Sequence, residues 1–522
     1  MNGLMHNNLT PQGHMSFFIS KSGFVSAWRR CNKYAWLEAN MSEQKAPVDE
    51  FTQSLFDNGH KIGEIAKKYF CVDVDVTVNK EDGTPNLAEM LRQTEKYMQL
   101  GTKVIAEASF RYDGCFCSVD VLVRNADGSY DILEVKSSKQ EKPTKKNPLG
   151  VKEKYMMDAA YQRYVLENCG IKINRVYVVM LAKDYVRGAT LDLNQYFVKI
   201  DVTDETAARQ NVVANKIVEL RPVLTSVSEP TSVICGNCNK CEYFGYCGRH
   251  IPSPSPFDVY DLDFPVKCQY YNDGVSFFDI PKMNLKLKAP AKLQIEYYNR
   301  PGDLYIDKAA VNAFLNSITW PAYSLDFETY QAVLPEFEGV KTYEQLPFQY
   351  SLHIIKSAEC DCLEERHFLD ITGSDSRRSI AESLVQNIPY GACVVAYHHG
   401  TEKGIIERLA NACPDLKDHL LSFTYRDPLE VFQKGYYYVK AMGGSMSLKS
   451  TAPALYPNEK SMDYHNLEGD VKNGMQAMNA IGKSKDMTAE EVAKLQQDLI
   501  AYCALDTMAV VKILKKFYED AM

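Results

Sequence analysis

The sequence contains no long hydrophobic run, since none of its apolar stretches approaches the roughly 20 residues of a membrane-spanning helix. The polar segment from Met1 to His14 also lacks the apolar stretch of a secretory signal. An excess of basic charge is missing as well, because the net charge is −8. We therefore expect no membrane partner, and any nucleic-acid binding has to come from local basic patches and bound cations.

Cysteine, by contrast, is abundant, with 15 residues and no secretion signal. This combination predicts a cytoplasmic protein whose thiols are free or bind metal, because structural disulfides are rare in a reducing compartment. Four of them, Cys235, Cys238, Cys241 and Cys247, lie in one short segment. Taken locally, this cluster is typical of a zinc knuckle, although thiolates suit zinc and iron–sulfur clusters alike.

Strand-like and helix-like segments occur together in both halves of the 522 residues, which predicts an α/β protein of more than one domain. A proline-rich stretch begins at residue 251, and no amphipathic period persists from there to about residue 318. We therefore predict three segments: a first domain over 15–250, a linker region over 251–318 and a second domain over 319–522.

The first candidate site lies on a predicted hairpin. Asp120 falls on one strand and Glu134 and Lys136 on the next, with the turn-forming pair Asp127-Gly128 between them. Residues two apart on a strand share a face, so Lys136 accompanies Glu134. Acids that hold divalent cations, with a lysine beside them, are the groups that phosphodiester hydrolysis needs. The alternative is an ordinary hairpin with surface charges.

His60 upstream and Gln162 on the following helix complete a pattern that resembles the PD-(D/E)XK superfamily of RecB-like nucleases. The resemblance implies a restriction-endonuclease-like fold, a catalytic role for Lys136 and a positioning role for Tyr161 or Gln162. It also implies ligation of Mg²⁺ or Mn²⁺ by His60, Asp120 and Glu134. A loop rich in lysine follows the hairpin and is either a grip on nucleic acid or a solvated surface: Lys139, Lys142, Lys145, Lys146, Lys152 and Lys154.

The late cysteines together with the distant Cys31, in the segment from Trp28 to Leu37, resemble the iron–sulfur site of the CRISPR-associated and AddB-type RecB-like nucleases. In that family one early and three late cysteines hold a 4Fe–4S cluster that ties the two ends of the domain together. The resemblance therefore implies a structural 4Fe–4S cluster on Cys31, Cys238, Cys241 and Cys247. Cys235 is then a spare or an alternative ligand.

A second set of acids lies in the second half. Asp326 and Glu328 are two apart at the end of a predicted strand, and Tyr502 and Asp506 are one helical turn apart. Their order and separation resemble the tyrosine-containing DEDD exonucleases of the RNase H-like fold. That resemblance implies that the acids bind two metal ions and that Tyr502 positions the attacking water.

The middle motif of that family matches less well. Glu402 stands where the family has an aspartate, His398 replaces an asparagine and Thr401 replaces an aromatic residue. Asp427 is either an extra acid or a turn residue before Pro428. Most of this half also resembles an uncharacterised bacterial domain that is found behind RecB-like nucleases.

These resemblances imply a metal-dependent nuclease of a prokaryotic cell or its phage. We expect it to hydrolyse DNA phosphodiester bonds, as an exonuclease on single strands or ends, in DNA repair or defence and with partners from such complexes. One alternative is that only the second domain is catalytic and acts on RNA. Another is a scaffold in a defence complex that binds nucleic acid without cleaving it.

Overall fold

The computed structural model describes residues 16–283, 285–361, 363–467, 469–483 and 487–522. The expected domain start at residue 15 lies outside them. The described chain divides into two compact units, each of which combines α-helices with β-sheet. The first unit contains residues 16–251 with 333–342, and the second unit contains residues 252–332 with the described residues after 342.

The first unit is built on one mixed sheet. Its described strands are β1 (Ile19–Ser20), β2 (Val74–Asp75), β3 (Val104–Tyr112), β4 (Cys115–Arg124), β5 (Tyr130–Lys139), β6 (Ile173–Leu181) and β7 (Phe197–Asp201). Its described helices are α1 (Lys21–Arg29), α2 (Asn32–Asn40), α3 (Glu50–Tyr69), α4 (Leu87–Gln99), α5 (Glu153–Asn168), α6 (Leu193–Tyr196), α7 (Thr203–Ala208), α8 (Gln210–Leu224) and α9 (Phe244–Cys247).

The order of the strands in this sheet is β2-β3-β4-β5-β6-β7, and β1 runs parallel beside β4. The predicted hairpin is confirmed, with Gly128 at φ 82° in its turn, a conformation that glycine adopts without strain. Val121 pairs with Leu133, so Asp120 and Glu134 are direct cross-strand neighbours. Helix α5 covers the sheet with a fully buried face that includes Tyr161, Gln162 and Val165.

The second unit contains described strands β8 (Leu304–Ile306), β9 (Ala322–Tyr330), β10 (Leu346–Ile355), β11 (Leu363–Leu369), β12 (Cys393–Val395), β13 (Thr424–Arg426) and β14 (Tyr437–Val439). Its described helices are α10 (Phe264–Asn272), α11 (Ala289–Tyr298), α12 (Lys308–Asn316), α13 (Arg377–Asn387), α14 (Gly400–Ala412), α15 (Lys417–Leu420), α16 (Leu429–Gln433), α17 (Leu448–Leu455), α18 (Gly474–Lys483) and α19 (Ala489–Ala521).

Five of these strands form a mixed sheet in the order β11-β10-β9-β12-β13, with β9 antiparallel to β10 and parallel to β12. Helix α19 packs against β9 and β10. Thr488 and Glu491 form a reciprocal capping box at its start, which fixes where the helix begins. Among the described residues, no helix is both long and apolar enough to cross a membrane.

The interval 251–318 is folded rather than a bare linker. Helices α10, α11 and α12 and strand β8 lie within it. Val259, Phe277 and Ile280 are each at most 1% exposed and pack with α11 in a small core of their own. These helices are short, with 9 residues in α10 and 10 in α11, and a proline stands in the first turn of each. Such short helices leave no persistent period in the sequence.

Candidate functional site

The first centre, as we call the group Lys21, Asp120, Glu134, Lys136, Asp158 and Gln162, forms where β4, β5, α5 and the first turn of α1 meet. Glu134 is its middle residue and is 1% exposed. Its carboxylate accepts hydrogen bonds from Lys136 Nζ at 2.5 Å, from Gln162 Nε2 at 2.7 Å and from Lys21 Nζ at 3.0 Å. Asp120 accepts a hydrogen bond from the backbone N–H of Val135 at 2.7 Å. The centre therefore brings together Asp120, Glu134, Lys136 and Gln162 as the sequence pattern requires.

Lys21 and Asp158 are members that the sequence analysis missed. Lys21 Nζ lies 3.8 Å from Asp120 Oδ1, 3.0 Å from Glu134 Oε2 and 3.7 Å from Asp158 Oδ1. Asp158 also accepts a hydrogen bond from Lys136 Nζ at 2.6 Å. Asp158 precedes Gln162 by one helical turn, a spacing that predicts a shared face. Lys21 offered no such signal, because it lies 113 positions from Glu134 in the chain.

The two lysines are held in their charged form. Burial by itself would lower the pKa of each ammonium group, but the carboxylates of Asp158 and Glu134 outweigh it. The pKa of Lys21 lies well above its ordinary value, and that of Lys136 is also raised. Lys21 thus places a positive charge between three carboxylates of the first centre.

Of the two positioning residues that the resemblance offered, Gln162 contacts the centre and Tyr161 does not. The Tyr161 hydroxyl donates a hydrogen bond to the carbonyl of Ile19 at 2.8 Å, and its ring stacks on Phe24 at 4.6 Å. Tyr161 therefore anchors β1 and α1 in the core. It differs from Gln162 because successive residues of α5 face different directions. Gln162 Oε1 is buried and has no described hydrogen-bond partner.

His60 lies on α3, which packs against β5, but its side chain is exposed. No hydrogen bond or ion pair joins it to the acids among the described residues. Glu107 on β3 is a nearer neighbour of Asp120, since the pairing of Ala106 with Val121 and of Ala108 with Val119 places the two acids opposite each other. Burial, reinforced by the charge of Asp120, raises the pKa of Glu107 to about 8.

The lysine-rich loop that follows β5 is largely exposed. Lys142, Lys145, Lys146 and Lys152 are all exposed side chains. Lys139 instead donates a hydrogen bond to the carbonyl of Thr342 at 3.2 Å. Lys152 Nζ lies 3.8 Å from Glu141 Oε1. Lys142, Lys145 and Lys146 pair with no described residue, so their charges can meet a solvated anion.

The second centre consists of Asp326 and Glu328 on β9, Glu402 on α14, and Tyr502, Cys503 and Asp506 on α19. Glu328, Glu402 and Asp506 are 6%, 5% and 8% exposed. Ligand atoms of Asp326, Glu328 and Cys503 all lie within 4.8 Å of one another. The three segments meet because α14 and α19 both pack against β9.

Burial raises the pKa values of these acids, and neighbouring carboxylates of the centre add to it for Asp326 and Glu328. Burial together with Asp506 raises the pKa of Glu328 to about 8, and burial raises that of Asp506 to about 6. The pKa of Asp326 is well above its ordinary value because of burial and of the neighbouring Asp506, Glu328 and Glu402. Burial also raises the pKa of Glu402 to about 7. Buried like charges are costly without a cation, which is the condition that a metal ion relieves.

Glu402 Oε2 is buried and has no described hydrogen-bond partner. Around the other acids, Tyr464 donates a hydrogen bond to Asp506 Oδ1 at 2.5 Å and Lys449 Nζ donates one to the Tyr502 hydroxyl at 3.0 Å. Lys449 and Tyr464 were missed by the sequence analysis, because they lie on a segment without a recognisable motif. Tyr502 is buried, as 4% of its surface is exposed.

Asp427 has a local structural role. It accepts hydrogen bonds from the backbone N–H groups of His398 at 3.0 Å, His399 at 3.3 Å and Leu429 at 2.9 Å. These contacts are those of the turn residue that the sequence allows at Asp427. His398 is exposed, and its φ of 61° is the left-handed conformation at the turn between β12 and α14.

The cysteine site lies at the junction of α1, α2 and the segment before α9. Cys31, Cys238, Cys241 and Cys247 line one cavity, whereas Cys235 is not among its described lining residues. Among the described residues, no three of these sulfur atoms lie within 4.8 Å of one another. Tetrahedral zinc would hold its sulfurs roughly 3.8 Å apart, given Zn–S bonds of about 2.3 Å. Thiolates of this kind suit zinc and iron–sulfur clusters alike.

Arg30 lines the cysteine cavity and binds the loop beside it. Its guanidinium donates hydrogen bonds to the carbonyls of Asn237 at 2.9 Å, Asn239 at 2.5 Å and Lys240 at 2.6 Å. Burial raises the pKa of Cys238 to about 12, and Cys235 and Cys31 add to the shift. Through these three hydrogen bonds Arg30, the neighbour of Cys31, fixes the loop that carries Cys238 and Cys241.

One family model matches the chain over residues 323–447, and its description is Domain of unknown function (DUF2779). The match covers β9 to β14, and thus Asp326, Glu328 and Glu402, but it ends before Tyr502 and Asp506. A search of curated proteins found no match to the chain.

Proposed function

We propose that the protein is a metal-dependent nuclease with two carboxylate centres, one in each unit, and a structural 4Fe–4S cluster in the first. The observation that carries the proposal is the second centre, where four acids from β9, α14 and α19 converge in a buried place and Glu402 Oε2 has no described partner. Such a cluster is unfavourable unless cations neutralise it. The pattern is that of the DEDD exonucleases, and we propose an RNase H-like arrangement for this unit.

The residues of the second centre fit a pair of divalent cations. Among the described residues, the four carboxylates face one ammonium group, that of Lys449, so three of their negative charges are unbalanced when all four acids are ionised. Oxygen donors suit Mg²⁺ and Mn²⁺. Asp326, Glu328, Glu402 and Asp506 would hold the ions, and the Tyr502 hydroxyl would orient the attacking water.

The first centre fits a smaller positive charge. Its three carboxylates, Asp120, Glu134 and Asp158, face the ammonium groups of Lys21 and Lys136, which leaves one negative charge unbalanced. Lys21 Nζ marks a position between the acids where a cation is stable. Asp120 and Glu134 would hold one Mg²⁺ or Mn²⁺. We propose that this unit has the PD-(D/E)XK arrangement.

When bound at either centre, a divalent cation supplies an activated water and neutralises charge that develops on the scissile phosphate. The chain's own groups do the rest. Lys136, two residues from Glu134 on the same strand, can stabilise the incoming nucleophile, and Gln162 holds the Glu134 carboxylate in one orientation through its 2.7 Å hydrogen bond. The exposed lysines after β5 attract the phosphate backbone of DNA.

We propose a 4Fe–4S cluster rather than zinc for the cysteine cavity, because its four thiols include the distant Cys31, as in the family that this pattern resembles. Cys31, Cys238, Cys241 and Cys247 would hold it. Its proposed role is to tie α1 and α2 to the end of the first unit.

Cleavage of end-labelled DNA and RNA with Mn²⁺ tests the proposal, with protein purified under nitrogen. We would compare the wild type with Glu134→Gln, Asp326→Asn and the double variant, and with the exposed-acid controls Asp184→Asn and Asp418→Asn. Loss of cleavage in Glu134→Gln alone assigns the chemistry to the first centre, and loss in Asp326→Asn alone assigns it to the second. If the wild type cuts no substrate, or if the double variant cuts normally, the proposal is wrong.

A further inference from the structure

The proposed nuclease chemistry leaves one group of the second centre without a role, the thiol of Cys503. This side chain is fully buried on α19. Its Sγ lies 3.8 Å from Asp326 Oδ2. One ligand atom from each of Asp326, Glu328 and Cys503 lies within 4.8 Å of the other two. A thiol therefore stands among carboxylates at the place where a cation is expected.

The distances suit a single ion that uses sulfur and oxygen together. Zinc binds thiolate sulfur at about 2.3 Å and carboxylate oxygen at about 2.0–2.2 Å, so two such donors of one ion lie at most about 4.5 Å apart. The 3.8 Å between Cys503 Sγ and Asp326 Oδ2 satisfies this limit. Helical spacing places Cys503 and Asp506 on the same face of α19.

A further observation points to a ligand at this place. The Glu402 side chain is 5% exposed, its Oε2 has no described hydrogen-bond partner, and its charge acts on Asp326 across the centre. A buried carboxylate oxygen without a partner is unfavourable, and a metal ion would satisfy it. Glu402 therefore adds a buried negative charge beside the three donors, which a cation bound there would offset.

We propose that Asp326, Glu328 and Cys503 form a site for a thiophilic divalent cation such as Zn²⁺, with the buried charge of Glu402 beside it. The inference rests on the proposed second centre and adds its metal preference. Thiolate ligands favour Zn²⁺ over Mg²⁺, whereas an all-oxygen set does not. On binding, the Cys503 thiol releases its proton to solvent, and sulfur becomes the ligand as thiolate. Zn²⁺ and the harder cations then compete for Asp326 and Glu328.

The test uses the full chain, purified anaerobically so that the cysteine site of the first unit is unchanged in every sample. Cd²⁺ is titrated as a probe, and the ultraviolet thiolate-to-metal charge-transfer band is compared between the wild type and Cys503→Ser. Zn²⁺ affinity is measured on the same proteins by competition with a chromogenic chelator. Cys413→Ser is the matched control, because Cys413 is a buried cysteine of the same unit.

We expect Cys503→Ser to lose one equivalent of the charge-transfer band and to bind Zn²⁺ at least about 10-fold more weakly, while Cys413→Ser keeps both. Glu328→Gln, which retains the thiol, should weaken the same band, and this variant covers the case in which Cys503→Ser does not fold. Identical Cd²⁺ bands and Zn²⁺ affinities in the wild type, Cys503→Ser and Glu328→Gln would overturn the inference.

A parallel measurement separates this failure from failure of the proposed function. Mn²⁺ binding is followed by electron paramagnetic resonance in the wild type and in Asp326→Asn. If Mn²⁺ binds and depends on Asp326 while the thiolate band is the same in all proteins, only the inference about Cys503 is wrong. If Mn²⁺ binding does not depend on Asp326 either, the second centre is not a metal site and both proposals fail there.

Discussion

Lys21 and Glu134, which lie 113 positions apart in the chain, meet with the lysine Nζ 3.0 Å from both oxygens of the carboxylate. The contact joins the first turn of α1 to β5 inside a centre where Glu134 is 1% exposed. The Lys21 ammonium group contacts three acids. It both stabilises the metal-free protein and occupies the space between the proposed metal ligands. It therefore links the stability of the first unit to metal binding.

The substitution Lys21→Met should destabilise the metal-free protein by about 1–3 kcal/mol, because it leaves buried carboxylate charge less compensated. Added Mn²⁺ should raise the thermal unfolding midpoint more in Lys21→Met than in the wild type, since the competing ammonium group is gone. Lys67→Met is the control, as Lys67 pairs with Glu64 and Asp75 outside the centre. An equal Mn²⁺ effect in all three proteins would contradict this view of Lys21.

The substitution Arg30→Lys should weaken the cysteine site. The planar guanidinium of Arg30 donates hydrogen bonds to the carbonyls of Asn237, Asn239 and Lys240 at once. A lysine ammonium group cannot reproduce this arrangement. We expect iron and acid-labile sulfide per chain to fall by at least about half and the thermal midpoint to drop by a few degrees, in line with the loss of roughly 1–3 kcal/mol. Arg29→Lys, at the exposed neighbouring position, is the control. Unchanged iron content in Arg30→Lys would count against the structural role of Arg30.

The middle motif of the second unit can be tested with a matched pair of variants. Glu402→Gln removes a carboxylate whose Oε2 has no described partner, so Mn²⁺ affinity at the second centre should fall by at least about 10-fold. Asp427→Asn weakens bonds to the N–H groups of His398, His399 and Leu429 and should cost about 1–2 kcal/mol of stability with little change in Mn²⁺ affinity. The reverse result would make Asp427, rather than Glu402, the metal ligand.

Metal affinity and stability should depend on pH in opposite directions. Burial raises the pKa of Glu328 from its ordinary 4.5 to about 8, with a contribution from Asp506. Between these values the folded protein retains a proton that the unfolded chain has released. The metal-free protein thus loses stability as pH rises through this window, and the contribution is fully present only below the unfolded pKa.

Because cations bind the deprotonated acids, Mn²⁺ affinity should rise by roughly 10-fold or more from pH 6 to pH 8. Isothermal titration at both pH values, with Glu328→Gln beside the wild type, measures this slope. The slope should be shallower in Glu328→Gln. A wild-type affinity that does not change with pH would mean that Glu328 is not a ligand.

Short-range pairs were predictable because strand and helix geometry place them on one face. Asp326 and Glu328 share a side of β9, and Tyr502 and Asp506 share a side of α19, as their spacings of two and four require. The hairpin with Asp120 and Glu134 also followed from its Asp-Gly turn. The mixed α/β class of both units is also confirmed. It was predictable because local periodicity sets the type of element.

Sequence spacing could not choose between Tyr161 and Gln162, because adjacent residues of a buried helix face different neighbours. Packing decided it, placing Tyr161 against Phe24 and Gln162 against Glu134. The short helices within 251–318 were likewise not visible in the sequence, because contacts to one another stabilise them rather than a long amphipathic pattern.

The sequence by itself determined the elements that carry each acid and the spacing of the acids along them, whereas the set of four cysteines followed from the family resemblance. Only the tertiary structure decided that Lys21 enters the first centre, that Cys503 lies beside Asp326 and that Arg30 closes the cysteine loop. The reason is physical. Contacts between neighbours in the chain depend on helix and strand geometry alone, whereas contacts between distant residues depend on how the completed elements pack.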